Sequence, residues 1–185
     1  MRSLKLSLAL VLLGGLLLLA ANAFGSSSGK GVVVKVNDTG VSMSPNKYIQ
    51  DNMAFSPGTV EVKSGQTLTF EYQQKAMEPH TLTVVKQSDL PKTGAQVENC
   101  SACQKLATGH LKNPHAEPGP KNPIVHWTLN KGKPGLDTVG DSIAIDSTAK
   151  PAHKQISIKV TAKQGTTLYF LCAVHPWMQG KLVVK

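Results

Sequence analysis

Tyr169-Phe170-Leu171-Cys172-Ala173-Val174-His175-Pro176-Trp177-Met178-Gln179-Gly180 joins two apolar strand patterns near the end of the chain. Leu168, Phe170 and Cys172 fall on one side of the incoming strand, and Lys181 to Lys185 continues as the outgoing one. The connection between them reads Cys-x2-His-x2-Met. One short loop between two strands can bring a thiolate, an imidazole and a thioether to a common point. Soft sulfur together with imidazole suits copper, and a His2Cys set with a weak axial methionine is the arrangement of a blue-copper electron-transfer centre.

Upstream of this loop the chain alternates in the same way. Val32 to Val36 is a β-branched run closed by Asn37, Asp38 and Gly40. Thr59 to Val62 is a second strand, ended by Ser64-Gly65. Leu68, Phe70 and Tyr72 alternate with Thr67, Thr69 and Glu71. A further strand spans His80 to Val85, with His80, Leu82 and Val84 on one face. Ile124 to Leu129, Ile143 with Ile145, and Ile156, Ile158 and Val160 supply others. Seven or eight short strands separated by Gly and Pro predict an all-β sandwich.

One segment breaks the pattern. Residues 86–122, rich in Pro, Gly, Lys, Asn and Ala, form a long insertion with a helical turn expected around Gln104 to Thr108. No internal repeat and no long amphipathic helix is apparent.

The Cys-x2-His-x2-Met loop needs a second imidazole. His80 opens an inner strand in phase with Leu82 and Val84, so it is the natural fourth member beside Cys172, His175 and Met178. Each has an ordinary reading when taken alone. Cys172 could be an inert buried thiol, His80 a core histidine and Met178 a packing residue. Their joint order, strand phase and loop spacing favour the metal. His126, beside Trp127 on an expected strand, reads as structural or surface, and His153 as solvated.

The sequence resembles the cupredoxins, the type 1 copper family that includes plastocyanin, pseudoazurin and amicyanin. Two blocks carry the resemblance. One runs from Met53-Ala54-Phe55-Ser56-Pro57 through Val60, Gly65 and Phe70 to Pro79-His80-Thr81-Leu82. The other runs from Ile158 through Gly165, Cys172, His175-Pro176-Trp177-Met178 and Gly180 to Val184. The short ligand-loop spacing is most similar to amicyanin. The resemblance implies a Greek-key β-sandwich and electron transfer through one copper ion cycling between Cu(II) and Cu(I). It assigns His80 and His175 as imidazole ligands, Cys172 as the thiolate and Met178 as the axial ligand. It also suggests an apolar docking patch around His175, where Trp177 follows. Many members brace the cysteine loop with an asparagine directly after the first histidine; here that position is Thr81.

Cys100-Ser101-Ala102-Cys103 lies in the insertion. Gln104 follows, so this is no haem-attachment motif. A local disulfide fastening the insertion is the leading reading. A zinc-like set completed by His110 and His115, or a pair of redox-active thiols, are the alternatives.

The N-terminus reads as targeting. Arg2 and Lys5 precede an apolar run from Leu6 to Leu19, and Ala21-Asn22-Ala23 offers a small-x-small cleavage site. The alternative is an uncleaved membrane anchor. The expected plan is a signal peptide over 1–23, a flexible tether over 24–31 and one copper-binding domain over 32–185. The chain is expected outside the cytoplasm, whether periplasmic, secreted or at the cell surface. Removing the signal lowers the formal net charge from +9 to +7. The remaining basic residues are scattered lysines with no arginine among them. That excludes the arginine forks and clustered patches of nucleic-acid binding and leaves steering toward an acidic redox partner.

With one complete ligand set, no open coordination position and no second histidine cluster, a copper enzyme is disfavoured. The expected function is a monomeric single-electron carrier. The alternative is extracytoplasmic copper delivery or storage.

Overall fold

β-Branched and aromatic alternation builds strands along most of the chain. The structure is a computed structural model describing residues 31–73, 78–149 and 151–185. The expected signal peptide and all of the expected tether except Gly31 lie outside the described residues. The described strands are β1 (Val32–Asn37), β2 (Val41–Ser44), β3 (Tyr48–Asp51), β4 (Ala54–Ser56), β5 (Thr59–Val62), β6 (Thr67–Tyr72) and β7 (His80–Val85). Two helices follow, α1 (Gly94–Glu98) and α2 (Ser101–Thr108), then β8 (Thr128–Leu129), β9 (Ser142–Ile145), β10 (Gln155–Lys159), β11 (Thr167–Leu171) and β12 (Gln179–Val184).

The strands form a sandwich. One sheet has the order β10-β6-β1-β4 and the other β5-β12-β11-β7-β9-β8, while β2 and β3 make a separate hairpin. Pairing is antiparallel except for β1 with β6 and β12 with β5, which run parallel. Val34, Val36, Leu68 and Phe70 meet Leu82, Val84, Phe170 and Leu182 between the sheets. Phe55 stands at the seam, edge-on to Phe70 at 6.0 Å and to Phe170 at 5.1 Å. Burying each of these rings contributes about 1.5–3 kcal/mol, and edge-on contact adds to it.

Gly180 is fitted to this packing. A Cβ there would lie 2.5 Å from the Phe170 ring and 2.6 Å from the Gly58 carbonyl. Any side chain would push β12 off β11 directly beside the Cys172 loop.

Four sequence expectations need correction. The strand expected over Ile124 to Leu129 forms only at Thr128–Leu129. Ile124 makes an isolated bridge to Leu111, and the N–H groups of Val125 and His126 both donate to the His110 carbonyl. That local demand breaks the ladder. The strand count exceeds eight because β2, β3 and β4 also form. The expected helical turn begins earlier, at Ser101, and α1 precedes it.

β7 was expected to bury one face, yet all six of its residues are buried. The insertion covers the other side. Cys103 packs with Val85, Leu171 and Ala173, joined by Leu90 and Leu106. A two-layer sandwich thus gains a third layer where β7 ends and β11 leads into the Cys172 loop.

Candidate metal centre

β7 and the β11–β12 connection deliver the site. His80 is the first residue of β7, paired with Ile145 of β9. Cys172 follows the last residue of β11. The loop after it is closed by its own backbone: Cys172 N–H donates to the Met178 carbonyl at 3.0 Å, and Met178 N–H donates to the His175 carbonyl at 2.9 Å. Those two bonds turn the chain tightly enough to return His175 toward Cys172.

Among the described residues, His80, Cys172 and His175 form a cluster whose donor atoms all lie within 4.8 Å of one another. His80 Nδ1 and His175 Nδ1 are 3.2 Å apart. Cys172 Sγ lies 3.8 Å from the first and 3.7 Å from the second. A point equidistant from three atoms so spaced is about 2.1 Å from each. Zinc, a metal of similar size, sits about 2.0–2.1 Å from imidazole nitrogen and about 2.3 Å from thiolate sulfur. The triangle therefore has the dimensions of a trigonal metal site. Its one thiolate and two imidazoles fit a single copper ion, the soft-plus-imidazole combination that copper favours. Met178 is buried in the same core cluster as Cys172, on the loop that closes the site.

Water is largely excluded. His80 and Cys172 are fully buried, and only 5 % of His175 is exposed. His80 Nε2 has no hydrogen-bond partner among the described residues. The Tyr72 ring meets His80 edge-on at 5.7 Å. Trp177 meets His175 edge-on at 5.2 Å while remaining 40 % exposed.

The electrostatics favour a thiolate. Burial alone would push the Cys172 thiol up, but contacts with His175 and then His80 outweigh it and bring the thiol down to about 5. Burial likewise opposes charge on His175, and the Cys172 thiolate and the Glu78 carboxylate overcome it, raising the imidazole. The Thr81 N–H donates to Cys172 Sγ at 3.3 Å, a further contact that stabilises negative sulfur. Thr81 Oγ1 accepts from the Ala173 N–H at 2.7 Å. Thr81 thus braces the cysteine loop with both its backbone and its hydroxyl.

One contributor was not anticipated. The Glu78 carboxylate accepts from His175 Nε2 at 2.7 Å, fixing the ring with Nδ1 toward Cys172. The Tyr72 hydroxyl holds Glu78 in turn, donating to its backbone carbonyl at 2.8 Å. The only sequence signal was an acidic residue two positions before His80.

The other expected sites resolve differently. Cys100 and Cys103 form a disulfide, so the zinc-like set does not form. His115 is exposed, and His110 is buried on Ser142. His153, expected to be solvated, stacks on Trp127 at 3.7 Å. His126 is exposed, as a surface residue should be.

No protein-family model matches the chain, and no curated protein matches it. Solved structures do. A purple cupredoxin from Nitrosopumilus maritimus aligns at 11 % identity over 83 % of this chain and 99 % of its own, with a TM-score of 0.41. Auracyanin A, a blue copper protein from Chloroflexus aurantiacus, aligns at 19 % identity over 84 % and 99 %, with a TM-score of 0.38. Plastocyanin from Dryopteris crassirhizoma aligns at 16 % identity over 83 % and 100 %, with a TM-score of 0.39. Likenesses this distant carry no argument. The cupredoxin resemblance stands on this chain's own two-sheet sandwich and on the cluster that its β7 and β11–β12 loop bring together.

Proposed function

We propose that this chain is an exported copper protein carrying single electrons between redox partners, with the metal held by His80, Cys172, His175 and Met178. The observation that carries the reading is the triangle of two Nδ1 atoms and one Sγ, sized for a metal and already converged in the chain. Copper supplies a one-electron Cu(II)/Cu(I) couple. The protein's part is to hold the donors fixed, keep water out and leave one edge of the site near the surface. His175 is the ligand at that edge, with exposed Trp177 beside it.

Delivery or storage is the weaker alternative. All three clustered donors are buried, which favours retention over exchange. Four protein donors would leave no open position for a substrate, which favours a carrier over a copper enzyme. Scattered lysines suit an acidic partner, and the apolar N-terminal run suits an extracytoplasmic location.

The test is the visible spectrum of the purified, copper-loaded protein, alongside the variant Cys172→Ser. The expected result is an intense blue thiolate-to-copper band that disappears in the folded variant. A colourless copper complex, or a variant that keeps the band, overturns the assignment.

A further inference from the structure

His110 belongs to the insertion, is fully buried and has no part in the metal cluster. Burying a polar nitrogen without a partner is costly, and both His110 nitrogens have one. Nδ1 lies 2.5 Å from the His126 carbonyl, which can only accept, so Nδ1 carries a proton. Burial pushes the imidazole below its ordinary value, which keeps the ring neutral. Nε2 is then an acceptor, and the Ser142 hydroxyl, 2.7 Å away, donates to it.

The next contacts follow from counting protons. Ser142 has given its one proton to His110, so its oxygen accepts from Thr83, 2.6 Å away. The same proton can instead go to Thr81 Oγ1, 3.0 Å from Thr83 Oγ1. Thr83 has a single hydroxyl proton, shared between Ser142 on the insertion side and Thr81 on the metal side. Thr81 Oγ1 in turn accepts from the Ala173 N–H, the residue after Cys172. Thr81, Thr83 and Ser142 are all buried, so no bulk water relieves the competition.

Ser142 is itself held firmly. Its neighbour Asp141 is fully buried and accepts from the backbone N–H groups of Lys131, Asp137 and Thr138. The chain of hydroxyls is thus anchored at both ends, by β9 with the insertion and by the Cys172 loop.

We propose that His110 is a positioning residue for the metal loop, acting through Ser142, Thr83 and Thr81 on the amide of Ala173. By drawing the Ser142 proton, His110 diverts the Thr83 proton away from Thr81. Thr81 Oγ1 is left freer to accept from Ala173, and the Cys172 turn is held tighter. The proposal deepens the copper-carrier reading and rests on it for its consequence at the metal.

The geometry makes a prediction of opposite signs. In His110→Phe or Ser142→Ala, Thr83 gives its proton wholly to Thr81. The Ala173 amide then competes with a full donor, and its bond weakens. Thr83→Val removes the competitor, so the same bond strengthens. His110→Gln restores a polar group near the Nε2 position and should stay close to the native protein.

The experiment reads the Ala173 amide proton by nuclear magnetic resonance in the metal-free protein, where it tests the relay whether or not the copper assignment holds. The expected result is an upfield shift and exchange a few-fold faster in His110→Phe and Ser142→Ala, with a downfield shift in Thr83→Val. Amides of the distant strand β5 report any general loss of stability. The copper-loaded protein is then compared, and the blue band and reduction potential should move in the same sense order. Shifts of one sign in all variants, or none at Ala173, overturn the relay. An Ala173 amide that responds while the blue band and potential stay fixed overturns the role at the metal. A wild-type protein without a blue band refutes the copper reading separately.

Discussion

Glu78 and His175 share a hydrogen bond of 2.7 Å between carboxylate and Nε2, on the side of the imidazole away from Cys172. The contact reaches across the end of the sandwich, from the segment preceding β7 to the β11–β12 loop. Carboxylates in this position orient a ligating histidine and make it a better donor. A negative charge so placed also favours the more positive oxidation state of a metal.

Glu78→Gln should therefore raise the reduction potential, and Glu78→Ala should in addition weaken copper retention by about tenfold or more. Voltammetry and competition against a chelator measure the two effects. An unchanged potential in both variants would show that Glu78 lies too far into solvent to act on the metal.

Met178→Leu should keep copper and raise the reduction potential. An axial thioether is a long, weak bond, so removing it mainly withdraws electron density from Cu(II). Leucine fills similar volume in the core cluster that Met178 shares with Cys172. Complete loss of copper would mean that Met178 is needed to form the site at all.

The metal-free protein should hold Cys172 as thiolate through neutral pH. With the thiol brought down to about 5, the ultraviolet thiolate absorbance should persist until the pH falls to that value. The sign for stability follows. The folded value lies below the ordinary one, so the stabilisation from Cys172 is full above the unfolded thiol's titration and is lost as pH falls toward about 5. His175 works in the opposite sense, since its value is raised: its contribution is full below the ordinary imidazole value and is lost as pH rises through the raised one. Absorbance that vanishes well above pH 6 would show that the two imidazoles do not stabilise the thiolate.

Replacing Cys100 and Cys103 together by serine should leave one copper per chain and a blue colour. Closing so short a loop contributes about 2 kcal/mol in a chain-entropy account, so the variant should melt earlier. The cost falls near the site, because Cys103 packs with Leu171 and Ala173 on either side of Cys172. Calorimetry and metal analysis check both statements. A halved metal content would revive a second metal site.

Much of this site could be read from the chain alone because its information is local. Cys172 and His175 lie within one loop, and alternation in β7 and β11 places His80 and Cys172 inward. The sandwich was legible for the same reason. What sequence could not convey depends on distant segments. Thr81 and Thr83 sit at positions that alternation assigns to solvent, yet both are buried, hydrogen-bonded to Ala173 and to Ser142 respectively. His110 suggested a metal ligand by its spacing from Cys100 and Cys103, and only the fold pairs it with Ser142. The hairpin of β2 and β3 leaves no alternation in the sequence because neither strand has a buried face: Ile49 is 77 % exposed and Met43 62 %. Glu78 meets His175 across nearly a hundred residues, a separation with no periodic signature.

β7 is packed on both faces along its whole length, which gives it a mechanical role. Close-packed interiors are stiff, and a strand clamped between two layers cannot shift its side chains without displacing both. His80 is held by that clamp, and Cys172 is tied to it through Thr81. Donors that stay in place while the charge between them changes need little rearrangement energy. In the carrier proposed above, electrons would then cross at small driving force.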